Sequence, residues 1–141
     1  MIRIVRLGEK RGRGEGVRIG TVRRPPRGVP ADRFAKDDWY DVWYPELSPS
    51  AALVAKALSS TADDDKTWRA FVKKFRAEMN EPAARRTLDV LAALSHDANF
   101  AVGCYCADEA RCHRSVLRAL LEERGAVVAD PPKAGRADSD A

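Results

Sequence analysis

The sequence predicts an α/β fold, in which a small, at least partly parallel sheet is flanked by helices in a three-layer-like arrangement. Three short apolar runs, at 2–7, 17–22 and 100–104, are typical of strands. Between the second and third runs, apolar residues recur with helical spacing instead. Strands separated by helices favour parallel pairing, because a parallel connection needs a long crossover. The length of 141 residues suits one domain, predicted over 1–128.

The N-terminal third combines the first two predicted strands with irregular chain. A glycine-rich loop at 8–16 separates the strands. The next segment, "RRPPRGVP" at 23–30, contains three prolines and a glycine, which break regular structure. Residues 32–47 are predicted to be irregular or briefly helical, with aromatic side chains that mostly pack as core.

Four helices are predicted in the rest of the chain. Ser48 is a candidate N-cap and Pro49 a candidate first residue of a helix over about 49–59. Further helices are predicted over 82–95 and from His113 to a stop at Gly125. Between the helices at 49–59 and 82–95, an apolar stripe with helical spacing predicts another helix, with the stripe facing the core: Trp68, Phe71, Val72, Phe75 and Met79.

The ends of the chain and its apolar content bear on localisation. No apolar run approaches the roughly 20 residues that cross a bilayer, and the first ten residues lack the apolar part of a secretory signal. We therefore expect a cytoplasmic protein with no membrane partner. Residues 126–128 are a candidate edge strand. The tail at 129–141 lacks a hydrophobic anchor, so we expect it to be disordered, and we expect the chain from about Asp130 onward to be dispensable.

Positive charge is concentrated near the N-terminus. Residues 1–36 carry eleven basic and three acidic residues, a net charge of +8, whereas the remainder carries −4. Such a surface favours an anionic partner, namely phosphate, a nucleotide or a nucleic acid. For the loop arginines, Arg11 and Arg13, and for Lys10, the alternative is a solvated basic loop that needs no partner.

The three cysteines of the chain are clustered. Cys104, Cys106 and Cys112 fall with His113 within ten residues, and Arg114 follows. Cys104 ends a predicted strand and Cys112 opens a helix. In open α/β sheets, ligands bind at the carboxyl ends of the strands, beside the free N–H groups of the next helix.

A second group of candidate residues also directly follows a predicted strand. If the strands at 17–22 and 100–104 are parallel neighbours, both groups lie over one sheet edge and form a crevice suited to an oxyanion or phosphate. The predicted ligand-binding residues are Arg23, Arg24, Arg27, Cys104, Cys106 and Arg114, and the candidate catalytic residues are Cys112 and His113. As exposed positions, Arg27 and His113 are expected to contribute no more than about 0.5 kcal/mol to stability.

Two other chemical interpretations use the same residues. As a zinc set, the three cysteines and His113 have the right ligand types, but C-x-C is tighter than the usual spacing, and Cys112 and His113 point different ways. We therefore expect neither metal nor other cofactor, and purification without stoichiometric zinc. As a thiol enzyme, the chain would use Cys112 as nucleophile beside Arg114 and His113 as acid or base. The spacing of these cysteines to Arg114 differs from the C-x5-R loop of cysteine phosphatases.

The expected partner is an anionic small molecule or nucleotide. Nucleic acid is less favoured, because no aromatic residues alternate with the basic ones to form a stacking platform. A structural interpretation also stays open, in which His113 and the arginines cap carbonyls and pair with acids such as Asp108 and Glu109. The sequence leaves the oligomeric state and any reaction open.

Several of these segments, in this order, resemble a known bacterial family. The chain is similar to the YeaO-like family, a domain of unknown function (number 488), over roughly 1–125. The matching residues are Arg24, Pro25, Pro26, Arg27 and Gly28 after a strand, then Trp39, then Ser48, Pro49 and Ser50, and finally Cys112, His113 and Arg114. The acid that is usual before the first arginine is replaced here, where Thr21 and Val22 stand. The resemblance implies an α/β fold and brings no established reaction.

Overall fold

The computed structural model describes residues 1–59 and 64–131. Its elements are β1 (Ile2–Arg6), β2 (Val17–Gly20), β3 (Val42–Trp43), α1 (Ala51–Ser59), α2 (Asp65–Met79), α3 (Pro82–Leu94), β4 (Phe100–Cys104) and α4 (His113–Glu123). Short 3-10 turns lie at Ala31–Arg33, Pro45–Leu47 and Glu109–Arg111. The predicted α/β fold is confirmed.

The four described strands form one parallel sheet in the order β1-β4-β2-β3. All five residues of β4 are buried, as its apolar sequence "FAVGC" requires of a strand covered on both faces. Gly103 of β4 pairs with Gly20 of β2, and Cys104 pairs with Arg6 of β1. The carboxyl ends of β1, β2 and β4 therefore meet at one edge of the sheet.

One face of the sheet packs against the helices. The core joins Ile2, Ile4, Phe100 and Val102 of the sheet to Phe75, Leu88, Leu117 and Leu121 of α2, α3 and α4. Burial of each such side chain contributes roughly 1.5–3 kcal/mol. The periodic stripes in the sequence therefore face the sheet as predicted. None of the helices in the described part of the chain has the length and apolar character to span a membrane.

The opposite face of the sheet is covered by irregular chain. Here Tyr40 lies on Gly20, where an added Cβ would stand 2.4 Å from the tyrosine ring. A glycine at this position therefore lets the aromatic ring contact the strand directly.

A buried ion pair anchors this loop layer. Arg18 of β2 is 1% exposed, and its guanidinium binds the Glu15 carboxylate through two bonds of 2.8 and 3.0 Å. The same guanidinium donates to the carbonyl oxygens of Glu9 and Asp38. Arg18 thus holds the loop segments that contain Glu9 and Asp38 on the sheet.

The segment between β2 and α1 differs from its prediction. Val42 and Trp43 form the edge strand β3, which the sequence did not indicate, and Trp43 is 43% exposed rather than core. The N-cap of α1 is Ser50, whose Oγ accepts from the amide of Leu53. Ser48 instead donates its hydroxyl to a carbonyl of the preceding 3-10 turn, so its prediction as N-cap was wrong.

The candidate edge strand at 126–128 forms a single parallel bridge. Val128 pairs with Ile2, whose amide donates to Val127 and whose carbonyl accepts from Ala129. Ala129, the first residue of the predicted tail, is therefore hydrogen-bonded to β1. Residues 132–141 of that tail lie outside the described residues.

Candidate functional site

A cleft of about 1580 Å³ opens at the carboxyl edge of the sheet. Its walls come from the ends of the strands, from α1 and α2, and from the segment leading into α4. The cleft is lined by these residues that the sequence singled out: Arg23, Arg24, Arg27, Cys104, Cys106, Cys112 and His113. The parallel pairing of β2 with β4 brings the two groups to one place.

The loop at 23–30, called here the arginine loop, is anchored at both sides of the cleft. The Tyr105 hydroxyl donates to the carbonyl oxygen of Arg24 at 2.7 Å. Arg23 donates through Nε to Pro49 and through Nη2 to Pro45 and Ser48, all at carbonyl oxygens. Predicted as a ligand contact, Arg23 instead holds the loop to the start of α1.

Arg24 and Arg27 differ from Arg23 in their surroundings. Both side chains are exposed, and neither guanidinium has a hydrogen bond or ion pair with any residue the structure describes. These two cations therefore stand at the cleft with their donors available.

The floor of the cleft is the thiol cluster, Cys104, Cys106 and Cys112. Their three Sγ atoms lie within 4.8 Å of one another. Cys104 and Cys112 are 1% and 2% exposed, with their sulfurs 2.6 Å apart, whereas Cys106 is exposed. Cys106, rather than the predicted nucleophile Cys112, is thus the cysteine most accessible from the cleft.

The three thiols have different proton affinities when no ion is bound. Hydrogen bonds from Cys104 and Cys112 lower the pKa of Cys106 far below its usual value, and the nearby Arg114 guanidinium acts in the same direction. The hydrogen bond to Cys106 is also the main cause that raises the pKa of Cys104. For Cys112, the bond from Cys104 lowers the pKa, but the bond to Cys106 and burial outweigh it and raise the pKa to about 11. Of the three thiols, Cys106 is therefore the one that ionises most readily.

His113 joins this cluster to the end of β2. Its Nε2 lies 2.6 Å from the carbonyl oxygen of Thr21, and because a carbonyl only accepts, Nε2 carries the proton. Nδ1 lies 3.7 Å from Cys112 Sγ, and the ring meets the edge of Phe75. Burial lowers the pKa of His113 to about 4, so the ring is neutral at neutral pH.

Arg114 lies behind the thiol cluster rather than in the wall of the cleft. It is 3% exposed, and its Nη2 donates to the carbonyl oxygen of Cys106 at 2.6 Å. Its Nε has no hydrogen-bond partner among the described residues. Predicted to contact the ligand, this guanidinium instead supports the segment that carries Cys106.

Several cleft residues were not predicted. Tyr105 lies between two of the cysteines, a position that could have been recognised from the sequence. Trp39 lines the wall and meets Tyr105 edge to face at 5.9 Å. Trp68, predicted as core, packs against the core but also lines the cleft, with Arg111 over its ring at 5.8 Å. These rings add flat apolar surface beside the basic residues.

The structural interpretation pairs Asp108 and Glu109 with the arginines of the cleft, but both carboxylates have other partners. Glu109 binds Arg118 at 2.7 Å, and Asp108 accepts from the amide of Ala110. Neither carboxylate neutralises Arg24 or Arg27.

Comparison with known proteins identifies the family of the chain. Neither the curated proteins nor the solved structures contain a match. A family model, described as the active DUF488-N3 subclade, matches residues 2–125. This span contains both the arginine loop and the thiol cluster, and the earlier resemblance to the YeaO-like family agrees with it. The chain is therefore a member of the DUF488-N3a family.

Proposed function

We propose that this protein binds an anionic small ligand, such as a phosphate-bearing metabolite or a nucleotide, in the cleft at the carboxyl edge of its sheet. The observation that carries the proposal is the pair of exposed guanidiniums, Arg24 and Arg27, on one wall of that cleft. Guanidiniums bind phosphate and carboxylate oxygens through paired, charge-assisted hydrogen bonds.

Part of the other N-terminal positive charge is neutralised within the fold. Arg11 binds the carboxylates of Asp38 and Asp41, and Arg18 binds Glu15. Arg24 and Arg27 remain as cations without a partner in the described chain. Of the N-terminal arginines that line the cleft, Arg6 and Arg23 are held by partners within the fold, which leaves Arg24 and Arg27 to meet a ligand.

The aromatic residues of the cleft favour a ligand with a planar ring. Trp39 and Tyr105 line the same wall region, so a base or other ring would contact them while its phosphate meets the arginine loop. A small molecule is favoured over an extended strand, since a strand-binding groove needs successive stacking positions along a basic surface.

The test is calorimetric titration of the purified protein with inorganic pyrophosphate and with the ribonucleoside monophosphates. Each charge-assisted hydrogen bond contributes about 1.5–3 kcal/mol, so Arg24→Ala and Arg27→Ala are each expected to weaken binding at least tenfold. Arg27→Lys keeps the charge and should lose less. The matched control is Arg85→Ala, an exposed arginine of α3 outside the cleft.

Two results would overturn the proposal. One is equal affinity for all of these anions in the wild type and the double variant of Arg24 and Arg27. The other is binding of a single-stranded oligonucleotide much more tightly than any mononucleotide, with the steep salt dependence of phosphate-backbone contacts. That second result would assign the cleft to nucleic acid.

A further inference from the structure

We propose that Cys104, Cys106 and Cys112 bind one zinc ion through three thiolates, with the fourth coordination position open to the cleft. This site is separate from the anion contacts of Arg24 and Arg27, and its argument does not depend on them.

The first observation is the convergence of the sulfurs. The three Sγ atoms all lie within 4.8 Å of one another, although C-x-C spacing and a six-residue step separate them in the chain. Two come from the end of β4 and the turn after it, and one from the N-cap of α4. The fold therefore removes the objection that the sequence spacing raised against a metal.

The second observation is a buried cation directly behind the thiol cluster. Arg114 is 3% exposed, binds the Cys106 carbonyl, forms no ion pair with a described carboxylate, and leaves Nε without a partner. A buried charge is costly unless it is paired. One zinc ion with three thiolates carries a net charge of −1, which balances this guanidinium.

The separations of the sulfurs fit a zinc ion after a small adjustment. Zinc–sulfur bonds of about 2.3 Å place the sulfurs of a tetrahedral site roughly 3.8 Å apart. Cys104 and Cys112, now at 2.6 Å, must move apart by roughly 1.2 Å, which rotation of two side chains supplies. Soft thiolates favour zinc over the hard cations magnesium and calcium.

His113 stands beside the three sulfurs rather than completing the set. Its Nε2–H is held by the Thr21 carbonyl, and Nδ1 faces Cys112 Sγ at 3.7 Å. In the described part of the chain, the possible metal-ligand atoms that all lie within 4.8 Å of one another are the three cysteine sulfurs, and this group does not include His113. Because Cys106 is exposed to the cleft, the fourth position falls on that side. Three protein ligands and one open position are typical of catalytic zinc sites, whereas structural sites use four protein ligands.

The experiment begins with metal analysis of the full chain, purified with a phosphine reductant and without chelator. We expect one zinc per chain. The protein is then stripped with chelator and titrated with Co²⁺, whose thiolate charge-transfer absorption reports sulfur coordination independently of any activity. Cys106→Ser is the main variant, because an exposed residue can be changed without disturbing the fold. Loss of a direct ligand should weaken Co²⁺ binding by at least the 10–100-fold typical of outer-shell changes.

Two controls separate this proposal from the proposed function. Tyr105→Phe, between two of the cysteines, keeps all three sulfurs and should keep the metal. The double variant of Arg24 and Arg27 should also keep full zinc content, even where it has lost anion binding. Each proposal can therefore fail without the other.

Several outcomes would overturn the zinc site. Absence of metal from the purified chain together with absence of the cobalt charge-transfer band would leave the cluster as free thiols, with Cys106 as a reactive one. Retention of full metal affinity in folded Cys106→Ser would remove that residue from the ligand set. A disulfide between Cys104 and Cys112, found by mass spectrometry in metal-free protein purified without reductant, would assign the pair to redox chemistry instead.

Discussion

The imidazole of His113 donates its Nε2–H to the carbonyl oxygen of Thr21 at 2.6 Å, across 92 residues of sequence. Thr21 itself is fully buried and donates its amide and its hydroxyl to the carbonyl of Gly103. The end of β2, the end of β4 and the first turn of α4 are therefore joined through one residue. This junction holds Cys112 in place at the floor of the cleft.

Removal of the His113 ring is expected to destabilise the fold. His113→Ala leaves the buried Thr21 carbonyl without this donor, at a cost of about 1–3 kcal/mol. The smaller value of about 0.5 kcal/mol expected from the sequence assumed an exposed position, and that assumption was wrong, because the ring is partly buried. Urea unfolding measures the difference. His96→Ala, whose ring contacts Gly125 at the exposed surface, is the control and should cost less. Equal effects of the two variants would contradict this role.

The buried pair of Glu15 and Arg18 should be among the most sensitive polar contacts. Glu15→Gln leaves the Arg18 charge buried without its counter-ion, and breaking such a pair costs about 3–5 kcal/mol. The matched control is Asp37→Asn, which breaks an exposed pair with Arg33 and should cost less than about 1 kcal/mol. Chemical denaturation of both variants checks the prediction, and a Glu15→Gln protein as stable as the control would refute it.

Acid should weaken the contact between Asp41 and the loop layer. Burial by itself raises the pKa of Asp41, but hydrogen bonds from Arg11 and from the amide of Arg18 outweigh it and lower the pKa. A carboxyl whose folded pKa lies below its unfolded value of about 3.9 stabilises the fold above that pH, and the stabilisation is lost as the pH falls through the folded pKa.

Asp41→Asn should therefore lower the melting temperature clearly at about pH 7 and less at about pH 3. Asp32→Asn changes an exposed carboxylate with no hydrogen bond in the described chain and serves as the control. Melting temperatures of both variants and of the wild type, measured at the two pH values, test this prediction. An Asp41→Asn effect that stays constant with pH would show that its charge is not responsible.

Alkylation should distinguish the three cysteines. In metal-free, reduced protein, iodoacetamide is expected to modify Cys106 first, because Cys104 and Cys112 are almost completely buried. Peptide mass spectrometry locates the label. Native Cys106→Ser should stay unlabelled until it is unfolded, and added zinc should slow labelling of the wild type. Rapid labelling of Cys112 in the native state would contradict the burial of its side chain.

The elements of the fold follow well from local sequence, whereas their pairing does not. Apolar runs located β1, β2 and β4, and helical periodicity located α2 and α3 close to their observed bounds. The strand β3 was missed because it has two residues, both exposed, and therefore shows no alternation. The predicted crevice required β2 and β4 to be parallel neighbours. The order of the elements does not determine this pairing, since it also allows other neighbours.

The candidate site shows which of its features can be recognised from residues that are neighbours in the sequence. The clustering of the cysteines in sequence was visible directly, and the strand ends placed the arginine loop near them. The roles of the charged residues were harder to predict. Arg23 and Arg114 were predicted to bind ligand and Arg18 was given no role, yet all three form hydrogen bonds within the fold. Burial of an arginine depends on carbonyls and carboxylates supplied by distant loops, and short-range patterns do not contain that information.

The register of β1 has a consequence for how the chain is made. Ile2 pairs with Phe100 and bridges to Val128, so β1 finds its partners only after a long stretch of intervening chain. The helices α1, α2 and α3 find one another soon after each emerges from the ribosome, since their contacts are between neighbours in sequence. The sheet must wait for β4, and long-range pairing of this kind slows folding. Until then the apolar face of β1 stays uncovered, and transiently exposed apolar surface of this kind promotes aggregation.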